Sequence, residues 1–311
     1  METKNCRICD TEFAKRYTFK EMMFGMRDEF AYGECPNCGN IQILEVPANI
    51  EKYYPTYYTS FTQEVPVLKR KSFFQRMISS IRIKRKYRKS KNHILEYVKP
   101  IGLMPNAKIL DIGCGQGALI CHLFNIGFEN ISGTDKFIAE EIDHGHGVKI
   151  AKKDLSELPS NTYDLLIMHH VLEHMDGQVD ELKQCYRLLK KGGVLLVCIP
   201  VLNTAWDIYQ NNWVQLDAPR HFVLHTVKSI NMLADKTGFK IKQTLFDSSE
   251  FQFLGSELYQ KGIPLTDPVT HQWVSFADHF SKEEMARLHD EAMQLNADHK
   301  GDAARFYLHK V

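Results

Sequence analysis

The chain has 311 residues, 44% of them apolar and 25% charged, with a net charge of +1. That balance is ordinary for a globular protein and gives no global field to draw a polyanion. The amino-terminal METKNCRICD has no apolar core for a signal peptide, and the longest strongly apolar run, GVLLVCIPVL at 193–202, is about half the ~18–20 residues that cross a membrane. The chain is therefore expected in a reducing cytoplasm, where paired thiols suggest metal rather than disulfides.

Residues 1–50 carry two CxxC pairs, Cys6/Cys9 and Cys35/Cys38, with 25 residues between them. Four thiolates close a tetrahedral Zn²⁺ site, and so small a segment would draw much of its folding free energy from the metal. A redox pair is the other reading of one CxxC; two at this spacing favour structural zinc in a zinc-ribbon-like module. Cys114, Cys121, Cys185 and Cys198 are scattered and read as small buried residues.

Residues 51–104 form a Tyr-rich and basic linker. No acid lies between Glu64 and Glu96, while 11 Lys or Arg fall within 69–91. Phe73, Phe74, Met77, Ile78, Ile81 and Ile83 recur roughly at helical spacing. A linker helix with a solvated basic face is one reading. A surface for a phosphorylated substrate, an anionic membrane or nucleic acid is the other.

From about residue 105 strands and helices alternate. Strands are predicted at AKILDIG, NISGTD, HGVKIAKKD, YDLLIMHH, GVLLVCIP, FKIKQTLFDS and DAARFYLHKV, with helices after Gly117 and over VDELKQCYRLLKKGG. This is the pattern of an α/β, doubly wound, Rossmann-like and mostly parallel seven-stranded sheet, whose ligand sits beyond the strand C-termini. The last two strands, joined by a helical insertion at about 251–300, are expected as an antiparallel edge pair. DHGHG at 143–147 has the residues of a metal cluster but reads as a Gly-rich turn.

In ILDIGCGQGALI the first strand runs into Gly113, Gly115 and Gly117, which permit positive φ and close approach of a ligand to the main chain. The spacing is GxGxG, not the GxGxxG of pyrophosphate sites, and Asp111 precedes it. A carboxylate there repels pyrophosphate and suits a ligand bearing an ammonium group.

DIGCGQG resembles motif I of the class I S-adenosylmethionine-dependent methyltransferases, and further elements follow in register over about 105–250. The resemblance implies that Asp135, in GTD, holds the ribose hydroxyls and that Asp154 and Leu155, in KKDLSELP, contact adenine. YDLLIMHHVLEHMDG matches the segment after strand four, where the backbone of His170 is expected to line the cofactor pocket. LLKKGGVLLVCIP matches the passage into strand five, and PRHFVLHT an element of a small-molecule subgroup. Amino-group methylation of bases usually uses (N/D/S)PP(Y/F) after strand four; HHVLEH stands there instead, favouring an oxygen or carbon acceptor.

The cysteine module, the Tyr-rich junction and the tail GDAARFYLHKV resemble methyltransferases of sugars or nucleotide-sugars in surface-polysaccharide or secondary-metabolite pathways. Tyr53, Tyr54, Tyr57, Tyr58, Trp206 and Trp213 would then stack the acceptor or cover the interdomain seam. The competing class is an RNA methyltransferase using the zinc module and basic segment; the near-zero net charge and the missing PP(Y/F) speak against nucleic acid. Proton removal falls to His221, in PRHFVLHT, or to His174. Arg220 would grip a substrate phosphate or carboxylate. The opposing reading has His221 merely ordering its loop.

Overall fold

The computed structural model describes residues 3–58, 64–69 and 93–311. Strands β1 (Lys15–Lys20), β2 (Glu29–Glu34) and β3 (Ile41–Ile43) form an antiparallel meander. Helix α1 (His93–Val98) leads into β4 (Lys108–Ile112), α2 (Ala118–Ile126) and β5 (Asn130–Thr134). The two-residue β6 (Ile142–Asp143), β7 (Lys149–Ala151) and β8 (Tyr163–His169) follow, then α3 (Gln178–Leu188), β9 (Leu189–Pro200) and α4 (Thr204–Tyr209). The chain ends with β10 (Val223–Leu224), α5 (Val227–Thr237), β11 (Phe239–Phe246), α6 (Phe251–Gln260), α7 (Lys282–Ala297) and β12 (Ala303–Lys310).

The central sheet has the order β11-β12-β9-β8-β4-β5-β7-β6. β4 pairs in parallel with both β5 and β8, and β8 in parallel with β9. The crossovers run one way from β4 through β5 to β7 and the other way from β8 to β9, so the winding reverses between β4 and β8. In a doubly wound sheet that reversal opens a crevice at the strand C-termini. Alternating side chains supply two cores. Leu110, Leu166, Leu195 and Val197 face α3 and α5, while Ile109, Leu165, Ile167 and Leu196 face α1 and α2.

The last two strands form the expected antiparallel pair at one edge of the sheet, with β11 outermost and β12 also antiparallel to β9. Two details depart from the sequence-based expectation. An eighth strand, β6, joins β7 through the DHGHG turn, where Gly145 and Gly147 have φ of 82° and 88°. The helix over VDELKQCYRLLKKGG stops at Leu188, because buried Leu189 already pairs with Tyr163 and the register then jumps to Leu165↔Val194. The basic helix expected within 69–91 lies almost wholly outside the described residues. Among the described residues no helix is long and apolar enough to cross a membrane.

The cysteine segment does not stand apart. β10, from PRHFVLHT, pairs antiparallel with β3 and extends the meander to four strands. Cys6, Ile8, Cys35 and Cys38 share one buried cluster with Ile230, Leu233 and Val197. Thr226 Oγ1 donates to Cys38 O at 2.6 Å, and Lys228 and Lys236 donate to Asn37 O and Ile8 O. α6 and α7 of the insertion cover the other side of the meander, around Phe19, Tyr32 and Trp213.

Candidate functional site

Gly113, Gly115 and Gly117 all adopt positive φ, between 52° and 82°, in the turn from β4 to α2. The closest demand at two of them comes from the protein itself. A Cβ on Gly113 would lie 2.7 Å from Val171 Cγ2, and one on Gly117 2.7 Å from Ile150 Cδ1. The turn is thus packed against the loop after β8 on one side and against β7 on the other. The amide of Gly115 donates to Asp135 Oδ2 at 2.9 Å, and that of Phe137 to Asp135 Oδ1 at 2.8 Å. Asp135 is held at the end of β5 facing the glycine turn.

Asp111 is buried at the end of β4, and burial, with the Asp135 charge, pushes its carboxyl up to about 8. Among the described residues no hydrogen bond offsets that burial. A buried acid without a donor is a natural place for a cationic ligand group. Asp154 is exposed and caps a short turn at Leu155–Glu157, its amide donating to Glu157 Oε2 at 2.8 Å. The Leu155 side chain is in the core.

A cleft of about 410 Å³ opens beyond β8, β9 and β12, lined among others by Tyr97, His170, Gln215, Asp247, Ser248 and Asp302. β11 and β12 bring the two acids together, since Asp247 follows one strand and Asp302 precedes the other. Burial raises the Asp247 carboxyl against the pull of Arg305, whose Nε lies 2.9 Å away. Burial pushes Asp302 up to about 6, opposed by the Trp213 indole, which donates to its Oδ2 at 2.9 Å. The carboxamide Oε1 of Gln252 is buried here without a partner. Sequence reasoning missed these acids, though both stand at the ends of predicted strands.

His174 and His221 do come together, their rings 4.7 Å apart, but neither is among the residues lining this cleft. His221 Nδ1 donates to Gln215 O and His174 Nδ1 to Arg220 O, both at 2.8 Å, with the Tyr54 hydroxyl 3.3 Å from His174 Nδ1. Burial, then His221, pushes His174 down to about 4. Arg220 is 0% exposed. Its Nε reaches both Asp217 oxygens at 3.0 Å, its other nitrogens reach Tyr53 O at 3.0 Å and Glu21 Oε1 at 2.9 Å, and its plane lies over Phe24. The expectation of a substrate grip is corrected: Arg220 is consumed in tying PRHFVLHT to the amino-terminal segment. The aromatic junction likewise packs on protein, with Tyr57 stacked on His271 and Trp213 fully buried.

The four sulfurs of Cys6, Cys9, Cys35 and Cys38 lie within 4.8 Å of one another. Cys9–Cys35, Cys6–Cys38 and Cys9–Cys38 are separated by 3.3, 3.6 and 3.7 Å. A disulfide would need about 2.05 Å, whereas thiolates about 2.3 Å from a tetrahedral zinc stand about 3.8 Å apart. The amide of Ile8 and Gln42 Nε2 donate to Cys6 Sγ at 3.4 and 3.3 Å, as thiolates in a metal knuckle require.

Residues 81–244, more than half of the chain, match the family model described as a methyltransferase domain. The chain is 24% identical over 203 residues to phosphoethanolamine N-methyltransferase 3 of Arabidopsis thaliana, covering 61% of this chain and 39% of that protein. It is 32% identical over 130 residues to the ubiquinone biosynthesis O-methyltransferase of Maricaulis maris, covering 36% and 49%. The chain thus spans about two-fifths to half the length of these curated relatives. Among solved structures, phosphoethanolamine N-methyltransferase 2 of Haemonchus contortus overlays with a TM-score of 0.44 at 19% identity, over 71% of this chain and 53% of that one.

Proposed function

Since the chain belongs to the methyltransferase-domain family, we propose that it transfers the methyl group of S-adenosylmethionine to an oxygen or carbon of a hydroxyl-rich small molecule, a sugar or nucleotide-sugar of surface-polysaccharide or secondary-metabolite biosynthesis. The observation that carries the acceptor class is the lining of the cleft. Hydroxyls, carboxamides and carboxylates meet there, and the cation Arg305 is already paired with Asp247. Such a wall exchanges hydrogen bonds with the hydroxyls of a polyol, and the hexose of a nucleotide-sugar would enter it while the diphosphate stays outside. The same two acids would also suit an amine, the acceptor class of the phosphoethanolamine relative. Product S-adenosylhomocysteine is to be measured with nucleoside-diphosphate hexoses, with small amines and with total RNA. Turnover on RNA or amines alone would overturn the sugar reading.

The cosubstrate is assigned to the crevice between β4 and β8, with Asp135 receiving the ribose hydroxyls, Asp154 and Leu155 near adenine, and the backbone of His170 along its edge. Asp111 receives the ammonium end. With its carboxyl at about 8, Asp111 is mostly protonated at pH 7 in the free protein, and a neighbouring ammonium favours the ionised form. Binding at pH 7 is therefore expected to release protons from Asp111. Calorimetry in two buffers of different ionisation enthalpy measures this release. A buffer-independent heat, or unchanged release in Asp111→Asn, would remove Asp111 from the site. Zinc is assigned to the four cysteines as a structural ion, and no step of the transfer runs through it.

A further inference from the structure

His170, immediately after β8, has a φ of 54°, a left-handed conformation uncommon for a residue with a side chain. Its amide holds it there by donating to Cys198 O at 2.9 Å. The imidazole lines the cleft and is 45% exposed. Its Nδ1 lies 3.2 Å from Oε1 of Glu173, whose side chain is 1% exposed and whose Oε2 has no partner. A carboxylate only accepts, so Nδ1 carries the proton and Nε2 keeps its lone pair. A buried acid behind an imidazole in a substrate cleft is the arrangement of a base and its orienting group.

We propose that His170 is the base that takes the acceptor's proton, and that Glu173 is the positioning residue that sets its tautomer. The proposal rests on the reading of an oxygen or carbon acceptor above. His170 Nε2 removes the proton while the acceptor's electron pair forms the bond to the methyl carbon and the carbon–sulfur pair stays on sulfur. The imidazolium then gives its proton to water. His174 and His221, with Nδ1 bound to backbone carbonyls, lie outside the cleft lining.

The groups facing His170 agree with this role. The surrounding cleft walls partly desolvate the ring and disfavour its charge, but the Glu173 hydrogen bond and carboxylate, helped by Asp247 and Asp302 across the cleft, raise its pKa above the ordinary value. Glu173 stays ionised, at about 2: burial opposes this, and the hydrogen bond from His170 with the imidazoles of His174 and His221 prevails. His169, packed edge-on at 4.7 Å and bonded to Tyr97, is kept neutral by burial at about 3. Only the unprotonated ring is a base, so turnover should fall as pH drops through a value above the usual ~6.5.

The test has two arms on the full chain. Long-range ¹H–¹⁵N spectra of histidine-labelled protein, with His170 assigned from its absence in His170→Asn, read the tautomer and titration without any acceptor. The expected state is Nδ1–H with a raised pKa that falls in Glu173→Gln. An Nε2–H tautomer, or a titration unmoved by Glu173→Gln, overturns the dyad. On the hexose panel, His170→Asn is expected to lower kcat by about 10²-fold or more while S-adenosylhomocysteine affinity stays within about threefold. Turnover by wild type with a near-normal His170→Asn sinks the base and leaves the proposed function standing. The expected spectra with no hexose turnover sink the proposed acceptor and leave the dyad standing.

Discussion

Cys35→Ser is expected to abolish zinc binding at the proposed four-cysteine site and to unfold the whole protein, not only its first 50 residues. Structural zinc supplies about 10–16 kcal/mol of apparent binding free energy in small modules. That is comparable with the whole ~5–15 kcal/mol stability of a native domain. Losses confined to an appendage would leave the large domain standing. Here the cluster is built into that domain: Cys6, Cys35 and Cys38 pack against residues of α5 and β9, and β10 is hydrogen-bonded to β3. Without the ion, four mutually close sulfurs, three of them on buried residues, are left with too few donors. Elemental analysis of protein purified without chelator should give one zinc per chain, and the variant close to none. Calorimetry should show a single transition for wild type, lost or far lower in the variant. A separate low transition beside an unchanged main one would show an independent module, and full zinc retention would remove the four-cysteine site.

Arg220→Ala is expected to cost about 3–5 kcal/mol, the usual penalty for removing one partner of a buried ion pair. The guanidinium faces Asp217 and Glu21 at once, with its own side chain and that of Glu21 both fully buried. Its loss strands two carboxylates away from water. Lysine is no substitute, because a single ammonium cannot reach Asp217, Glu21 and the Tyr53 carbonyl together. The sign of the pH effect follows from Asp217. Burial opposes its ionisation, but Arg220 holds its pKa below the ordinary carboxylate range. The pair therefore stabilises the fold above that ordinary range and is lost as pH falls through the lowered value. Urea titrations at pH 7 and pH 3 should show the wild-type advantage over Arg220→Ala shrinking in acid. An unchanged midpoint, with only a raised KM for a phosphorylated acceptor, would return Arg220 to the substrate.

Features read from neighbours in the chain were legible in the sequence. Near-continuous apolar runs marked the parallel strands, because a strand buried on both faces is apolar at nearly every position. GxGxG after a strand marked the turn at the crevice, since only glycine takes positive φ without strain. Two CxxC pairs marked the thiolate cluster because ligand spacing is local. What depends on pairing between distant segments was not legible. β10 is two residues long and exists only because β3 offers it an edge. Asp247 and Asp302 meet through the β11–β12 antiparallel pair, but that their end of the pair lines a cleft depends on β12 also pairing with β9, which no periodicity records. The same limit governs the histidines and Arg220, whose residue types announce basicity but not where they sit. Burial among Glu21, Asp217 and Tyr53 turns Arg220 into a brace. A left-handed backbone and a buried Glu173 three residues on place His170 in the cleft. Residue types and their spacing determined which chemistry this chain carries; the sheet's long-range register decided which of those groups face the cleft.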